Sequence, residues 1–222
     1  DPLLLSQQLD VAEAEQREKP SLAESFRKLV THRLAAIAVF AMAVGQGVMV
    51  AVMTVTPLHM DEGAHETRVI GLVISLHIVG MYFFSPLVGW LVDRLPVVLM
   101  VGAAGLILFL GAEMASHTDP EDSLGVFVGL LLVGIGWSFA MISGSALLTS
   151  AFSASERASV QGAADFTMVA SGATGGLLSG VLVEASSYHA LSHWAAVLAL
   201  SLVAAALYPV VTKTKPRKTA AA

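Results

Sequence analysis

Two ionisable side chains stand inside apolar runs: Asp165 in "VQGAADFTMVASG" and His77 in "VISLHIVGMYF". Within a membrane-spanning helix a carboxylate costs about 2.5–3.5 kcal/mol near the centre, so one that is kept there points to function. Asp165 lies about two turns inside its apolar segment and suits a proton carrier. It also has structural alternatives, reaching back to the interface or pairing with Arg157. His77 carries an imidazole, the side chain that titrates nearest neutral pH, and suits a proton relay. Its alternative is a hydrogen-bonded core histidine.

Polar and polarisable residues recur around them at helical spacing. Met42, Gln46, Met49, Met53, Thr56 and Met60 follow one another at steps of 4, 3, 4, 3 and 4, which places them on one helical face. Gln161, Asp165, Met168, Gly172, Gly176 and Ser179 form a second stripe, His77 and Met81 a third, and Trp137, Met141 and Gly144 a fourth. Methionine is flexible and polarisable and recurs on surfaces that accept varied partners. Gln46, Met49, Met53, Met81, Trp137, Met141 and Met168 are therefore candidate walls of a cavity for an amphipathic or largely apolar solute. Tight helix packing by small residues and methionine is the alternative.

The elements that position these residues are membrane spans. Of 222 residues, 55% are hydrophobic and 13% charged, against about a quarter charged in soluble domains. The mean hydropathy is +0.74. With no cysteine, the chain has no disulfide, thiolate metal site or cysteine nucleophile. Six segments reach the roughly 20 apolar residues that a span needs: about 34–57, 69–92, 97–115, 124–152, 159–183 and 194–212. The expectation is an all-α membrane protein with a connector at 1–33, a six-helix bundle at 34–212 and a basic tail at 213–222. The chain opens at Asp1 without an initiator methionine or signal peptide and is expected to be a piece of a longer protein.

Lys and Arg fix an expected orientation, because they accumulate on the cytoplasmic side. With six spans both ends share a side, and that side carries eleven of the twelve basic residues; Arg68 is the exception. Both termini are expected in the cytoplasm. Spans 3 and 6 carry almost no polar side chains and are expected to face lipid all round, whereas spans 1, 2, 4 and 5 hold the polar stripes. Glycines hint at a repeat: Gly47 and Gly136, each the second of a GxG pair, precede Gly89 and Gly180 by 42 and 44 residues. Two triplets of spans related in this way run in opposite directions, a 3+3 inverted repeat of the kind found in secondary transporters.

On "GWLVDR", with a glycine four residues ahead of Asp-Arg, together with "TPLHM", "SLHIVGMYFFSP", "GIGWSF" and "ERASVQGAADF", the chain resembles the C-terminal six-helix half of a bacterial major facilitator superfamily transporter. The resemblance covers nearly the whole chain. It implies a cytoplasmic gate at Gly89, Asp93 and Arg94, to which Arg157 is added as a neighbouring cation. Leu95-Pro96-Val97-Val98 departs from the glycine and basic pair usual after that motif. Resemblance further implies a cavity lined by the first, second, fourth and fifth helices of each half. The implied partners are membrane lipid, a small-molecule solute and an N-terminal six-helix half, with residence in the bacterial cytoplasmic membrane, proton coupling and alternating access. No cofactor, resident metal, nucleic acid or catalytic residue is implied.

Three other readings compete. A self-pairing six-helix half-carrier keeps transport but changes the assembly. An intramembrane serine protease would use Ser143 or Ser145 in "MISGSA", where Met141 stands in place of the first motif glycine. A metal site would draw on outer histidines, with His189 and His193 four residues apart.

Overall fold

The structure is a computed structural model that describes residues 21–213. The connector and tail expected at 1–33 and 213–222 therefore lie largely outside the described residues. A short helix, α1 (Leu22–Thr31), leads into six spans: α2 (Arg33–Glu62), α3 and α4 together (Thr67–Tyr82 and Ser85–Arg94), α5 (Val97–Ser116), α6 (Ser123–Ala151), α7 (Ala154–Ala185) and α8 (Tyr188–Lys213). All six are long and apolar enough to cross a membrane. The described residues are helical apart from short connections, as expected for a chain whose backbone groups must be satisfied without water.

Local chemistry sets the ends. Ser21 caps α1 by accepting the Glu24 amide at 3.2 Å. Ser153 and Glu156 form a reciprocal capping box at the start of span 5. Asp122 accepts the amides of Leu124 and Gly125 at the start of span 4. Span 2 breaks at Phe83–Phe84 because Pro86 lacks an amide hydrogen and its ring crowds the preceding turn. Ser85 steadies the break by donating its hydroxyl to the Met81 carbonyl at 3.0 Å.

Spans 2, 4, 1 and 5 pack side by side in that order, and spans 3 and 6 lie behind them, packed against spans 4 and 1 and against each other. Exchanging the first three spans for the last three maps this set of pairings onto itself, as an inverted repeat requires. Of the two glycine pairs read from the sequence, Gly89 and Gly180 have like surroundings and Gly47 and Gly136 do not. Gly47 meets Ser171 and Gly175 of span 5, but Gly136 meets Leu108 of span 3; Gly134 is the glycine of span 4 that packs against span 2. The same offset of 91 residues relates Gly71 to Gly162 and Gly89 to Gly180, and all four have open space where a Cβ would sit.

Spans 3 and 6 do not face lipid all round. Ala104, Leu108, Ala112, Ala199 and Leu202 are fully buried, and a Cβ on Gly105 would meet the Ala199 carbonyl oxygen at 2.8 Å. Inside a membrane apolar side chains pack against each other as readily as against lipid, so polarity does not separate the two surroundings. The most exposed spans are instead 2 and 5. They present Ile78, Tyr82, Phe83, Leu87, Trp90, Phe166, Leu177 and Val181 on the outside.

Candidate functional site

A polar and aromatic layer crosses the middle of the row. On span 1, Gln46 accepts a hydrogen bond through Oε1 from the Trp137 indole nitrogen of span 4 at 2.6 Å. Trp137 meets Tyr82 of span 2 edge to face, with ring centroids 5.8 Å apart. On the other side the Gln46 side chain lies over Gly172 of span 5, where a Cβ would stand 2.9 Å from its Cγ. One residue from each of four spans is thereby placed in register near mid-span. Gln46 and Trp137 are half-buried and Tyr82 is exposed.

The other sequence-predicted cavity residues divide into two groups. Met53, Met141 and Met168 are half-buried at the edge of the core. Met49 and Met81 are buried within it, at 5% and 8% exposure, as are Met42, Thr56 and Met60 of the same stripes. The stripe on span 1 is thus the core-facing side of the helix, with Gln46 and Met53 at its margin. Spacing locates a face and leaves open what that face meets.

Asp165 lies eleven residues after Ala154, about 17 Å along span 5. Its Oδ1 accepts from the Gln161 side-chain nitrogen at 2.8 Å, and that nitrogen also lies 3.4 Å from Ser145 Oγ of span 4. Arg157 donates to the Phe152 carbonyl at 3.2 Å, and among the described residues Asp165 has no ion-pair partner. His77 is fully buried between spans 2 and 4; its Nδ1 is bonded to the Leu130 carbonyl at 2.8 Å, and its Nε2 is sealed from solvent without a partner. An unmade buried hydrogen bond costs about 1–3 kcal/mol, so His77 stores a proton-accepting position at a price in stability. His77 and Asp165 belong to different helix pairs, and no hydrogen bond joins them.

The gate motif lies at the end of span 2. Asp93 and Arg94 are the last residues of α4, and Leu95–Pro96 form the link to span 3, so the Asp-Arg pair closes the helix rather than making the turn. Arg94 stacks over the Trp90 ring at 4.0 Å, a favourable place for a cation at a helix C-terminus. Asp93 is exposed, and no ion pair involves it among the described residues. Gly89 and Gly180 face open space beside it and on span 5.

At the same end α1 is tied to span 5. Lys28 binds Glu156 at 3.0 Å and Glu24 at 3.3 Å, Ser25 hydrogen-bonds Ser159, and Phe26 meets Phe166 edge to face. The Glu156 hydrogen bond raises the Lys28 pKa above its ordinary value. At the opposite end His59 stacks on Tyr188 with centroids 4.0 Å apart and bonds the Thr118 carbonyl, while His189 bonds the Ser116 carbonyl and His193 the Glu113 carboxylate. Among the described residues no group of three potential ligands could hold a metal. The protease reading also finds no support, since the buried Ser143 donates to the Phe139 carbonyl and His77 is engaged elsewhere.

Sequence spacing missed Tyr82 and the break beside it. The signal was present in "YFFSP", where a proline interrupts an apolar run next to aromatic residues.

Six spans in two inverted triplets, with a polar layer across four of them, describe a multi-pass α-helical membrane protein with a transporter's architecture. Residues 34–222 match the Major Facilitator Superfamily, and the chain belongs to that family. It is 39% identical over 205 residues to the uncharacterized MFS-type transporter YdeG of Bacillus subtilis (strain 168), covering 91% of this chain and 47% of YdeG. To the uncharacterized MFS-type transporter YddS of the same organism it is 44% identical over 163 residues, covering 73% of this chain and 37% of YddS. To the riboflavin transporter RfnT of Brucella anthropi it is 30% identical over 174 residues, covering 78% of this chain and 42% of RfnT. The chain spans about half the length of these relatives or less.

Proposed function

We propose that this bundle is the C-terminal half of a proton-coupled secondary transporter that moves a small solute by alternating access in a bacterial cytoplasmic membrane, with both of its ends in the cytoplasm. The observation that carries this reading is the uncovered face of spans 2 and 5. Four glycines related by one repeat offset stand on it with nothing within 4 Å, beside exposed aromatic and aliphatic side chains. Small residues in a span serve close helix approach, so these positions await helices of a second six-span bundle. The relatives' greater length supports the same assignment.

In the assembled carrier Gln46, Met53, Trp137, Met141 and Met168 border a midplane cavity, with Met49 and Met81 packed behind them. Asp165 takes up and releases the coupling proton: an unpaired carboxylate held by Gln161 can change charge without breaking an ion pair. His77 is the second proton position. Gly89, Asp93, Arg94 and Arg157 close the cytoplasmic side, where the exposed Asp93 and the Trp90-backed Arg94 meet the other half. Riboflavin is one solute worth assaying, from the name of one relative.

Replacing Asp165 with Asn in the full-length carrier tests the coupling. Proton-driven solute movement in membrane vesicles is expected to be abolished while expression and monodispersity are retained. Unchanged proton-driven movement removes Asp165 from the mechanism.

A further inference from the structure

Spans 3 and 4 part at the end opposite α1 and leave a cleft of about 570 Å³, within the ~300–1,000 Å³ usual for ligand sites. Its deeper walls are apolar: Leu110 and Met114 of span 3, which are 49% and 38% exposed, and Leu132 of span 4. Its mouth is acidic. Glu113 stands there, three residues from the end of span 3, with Asp122, the residue that caps span 4. From Asp122 to Leu132 the cleft follows span 4 for about 15 Å. Gly125 lies at the mouth, and a Cβ there would press within 3.1 Å of Asp122 Oδ2 and 2.5 Å of Thr118 Oγ1.

The two carboxylates keep unused acceptors. Asp122 Oδ1 takes the Leu124 and Gly125 amides, while its Oδ2 makes no hydrogen bond. Glu113 accepts from His193 Nδ1 at 3.0 Å, and His117 Nδ1 lies 3.7 Å away. Among the described residues no Lys or Arg pairs with either carboxylate. The sequence explains why: residues 61–68, 113–122 and 184–193, which form the connections and helix ends on this side, hold eight carboxylates and one fixed cation, Arg68. The bundle thus brings no cation of its own to a cleft that is apolar below and acidic at its mouth.

We propose that this cleft binds a phospholipid whose headgroup carries a primary ammonium, with phosphatidylethanolamine the simplest case. One acyl chain lies along Leu110, Met114 and Leu132, in the order of polarity that a bilayer itself presents, and the ammonium sits among the carboxylates at the mouth. A primary ammonium offers three N–H donors, and its bonds to carboxylate oxygens are about twice as strong as neutral ones. A choline headgroup has the charge without the donors. A phosphatidylglycerol has no cation, and the two carboxylates repel its net negative charge. The site needs only that the spans cross a membrane, so it goes beyond the transport reading and does not depend on solute or coupling.

The test is native mass spectrometry of the purified full-length carrier, titrated with phosphatidylethanolamine, phosphatidylcholine or phosphatidylglycerol of identical acyl chains. Wild type is expected to hold its first phosphatidylethanolamine about tenfold more tightly than phosphatidylcholine, the size of one hydrogen bond to a charged group. Glu113→Gln combined with Asp122→Asn removes both charges, keeps an oxygen for the cap, and is expected to abolish the preference. Leu110→Trp fills the trough from a half-exposed position and is expected to weaken phosphatidylethanolamine binding. Leu106→Trp, one turn further along span 3 and outside the cleft, is expected to change nothing. The two Trp variants carry the test if the charge variant does not fold. A phosphatidylethanolamine with a photoreactive acyl chain is expected to label peptides of spans 3 and 4. Equal binding of the three lipids, a preference for either of the other two, a preference that survives these changes, or labelling confined to other spans overturns the proposal.

Discussion

Spans 1 and 4 and spans 2 and 5 are all rich in glycine and polar groups, yet they use them differently. In the central pair, small residues sit where helices cross: Gly45 faces Ala140, Gly144 faces Met42, and Gly136 faces Leu108. In the flanking pair, Gly71, Gly89, Gly162 and Gly180 face nothing. Other small residues of the flanking spans do pack, with Gly80 against Leu131 and Ser171 donating to the Ala43 carbonyl at 2.7 Å. Each flanking span thus has a finished side turned to its neighbour and an unfinished one turned outward. Residue type alone does not separate the two; the distance to the next helix does.

The largest effect expected from this contrast lies in the centre. A Cβ on Gly134 would come within 2.4 Å of the His77 carbonyl oxygen, a backbone atom that cannot rotate away. Gly134→Ala is therefore expected to destabilise the carrier by about 1–3 kcal/mol, as overpacking does in well-filled cores, read as a lower thermal midpoint. An unchanged midpoint would mean that the crossing of spans 2 and 4 is looser than described.

A smaller effect is expected at the clasp between α1 and span 5. Lys28→Glu and Glu156→Lys are each expected to slow transport, and the double exchange to restore it in part, because Lys28 and Glu156 bind each other at 3.0 Å. A partly exposed ion pair at the protein surface contributes little to stability, so the readout is transport rate rather than melting. The sign with pH follows from the raised Lys28 pKa. The folded form holds the proton more tightly, so the contribution is complete below the unfolded value of 10.5 and is lost only as pH rises through the raised folded value. The clasp should therefore be insensitive between pH 6 and about 9. A loss of the single-variant phenotypes within that range would contradict it.

The smallest effect on the thermal midpoint is expected on the uncovered face. Gly89→Ala and Gly180→Ala meet no atom of this bundle and should leave its packing intact, with any consequence confined to transport. A drop in midpoint as large as that of Gly134→Ala would erase the distinction between the two sides of spans 2 and 5.

Much of this architecture was legible in the sequence. Six apolar runs gave six spans, since span length is set by the membrane and polar residues are scarce within them. The inverted repeat showed in Gly89 and Gly180, although Gly47 and Gly136 proved to occupy unlike crossings. Spacing found Gln46 and Trp137, but it could not show that they bond each other across spans 91 residues apart. It also could not tell that Met49 points into the core while Met53, one turn on, stands at its edge. Both faces of a span look alike when lipid, a neighbouring helix and a cavity wall all accept apolar side chains. Tyr82 went unnoticed because an aromatic at mid-span reads as lipid-facing until Trp137 is seen beside it.

The central claim is that spans 2 and 5 are turned toward a second bundle while parts of spans 3 and 6 are turned toward lipid. Spin labels test it directly in the full-length carrier reconstituted in lipid, with single cysteines at positions 71, 89, 162 and 180 on the flanking spans. Positions 106 and 198 serve as references, since Leu106 and Leu198 are about half exposed on spans 3 and 6. The account predicts that oxygen dissolved in the bilayer relaxes the reference labels strongly and the four flanking labels weakly. Equal oxygen access at all six positions would contradict it.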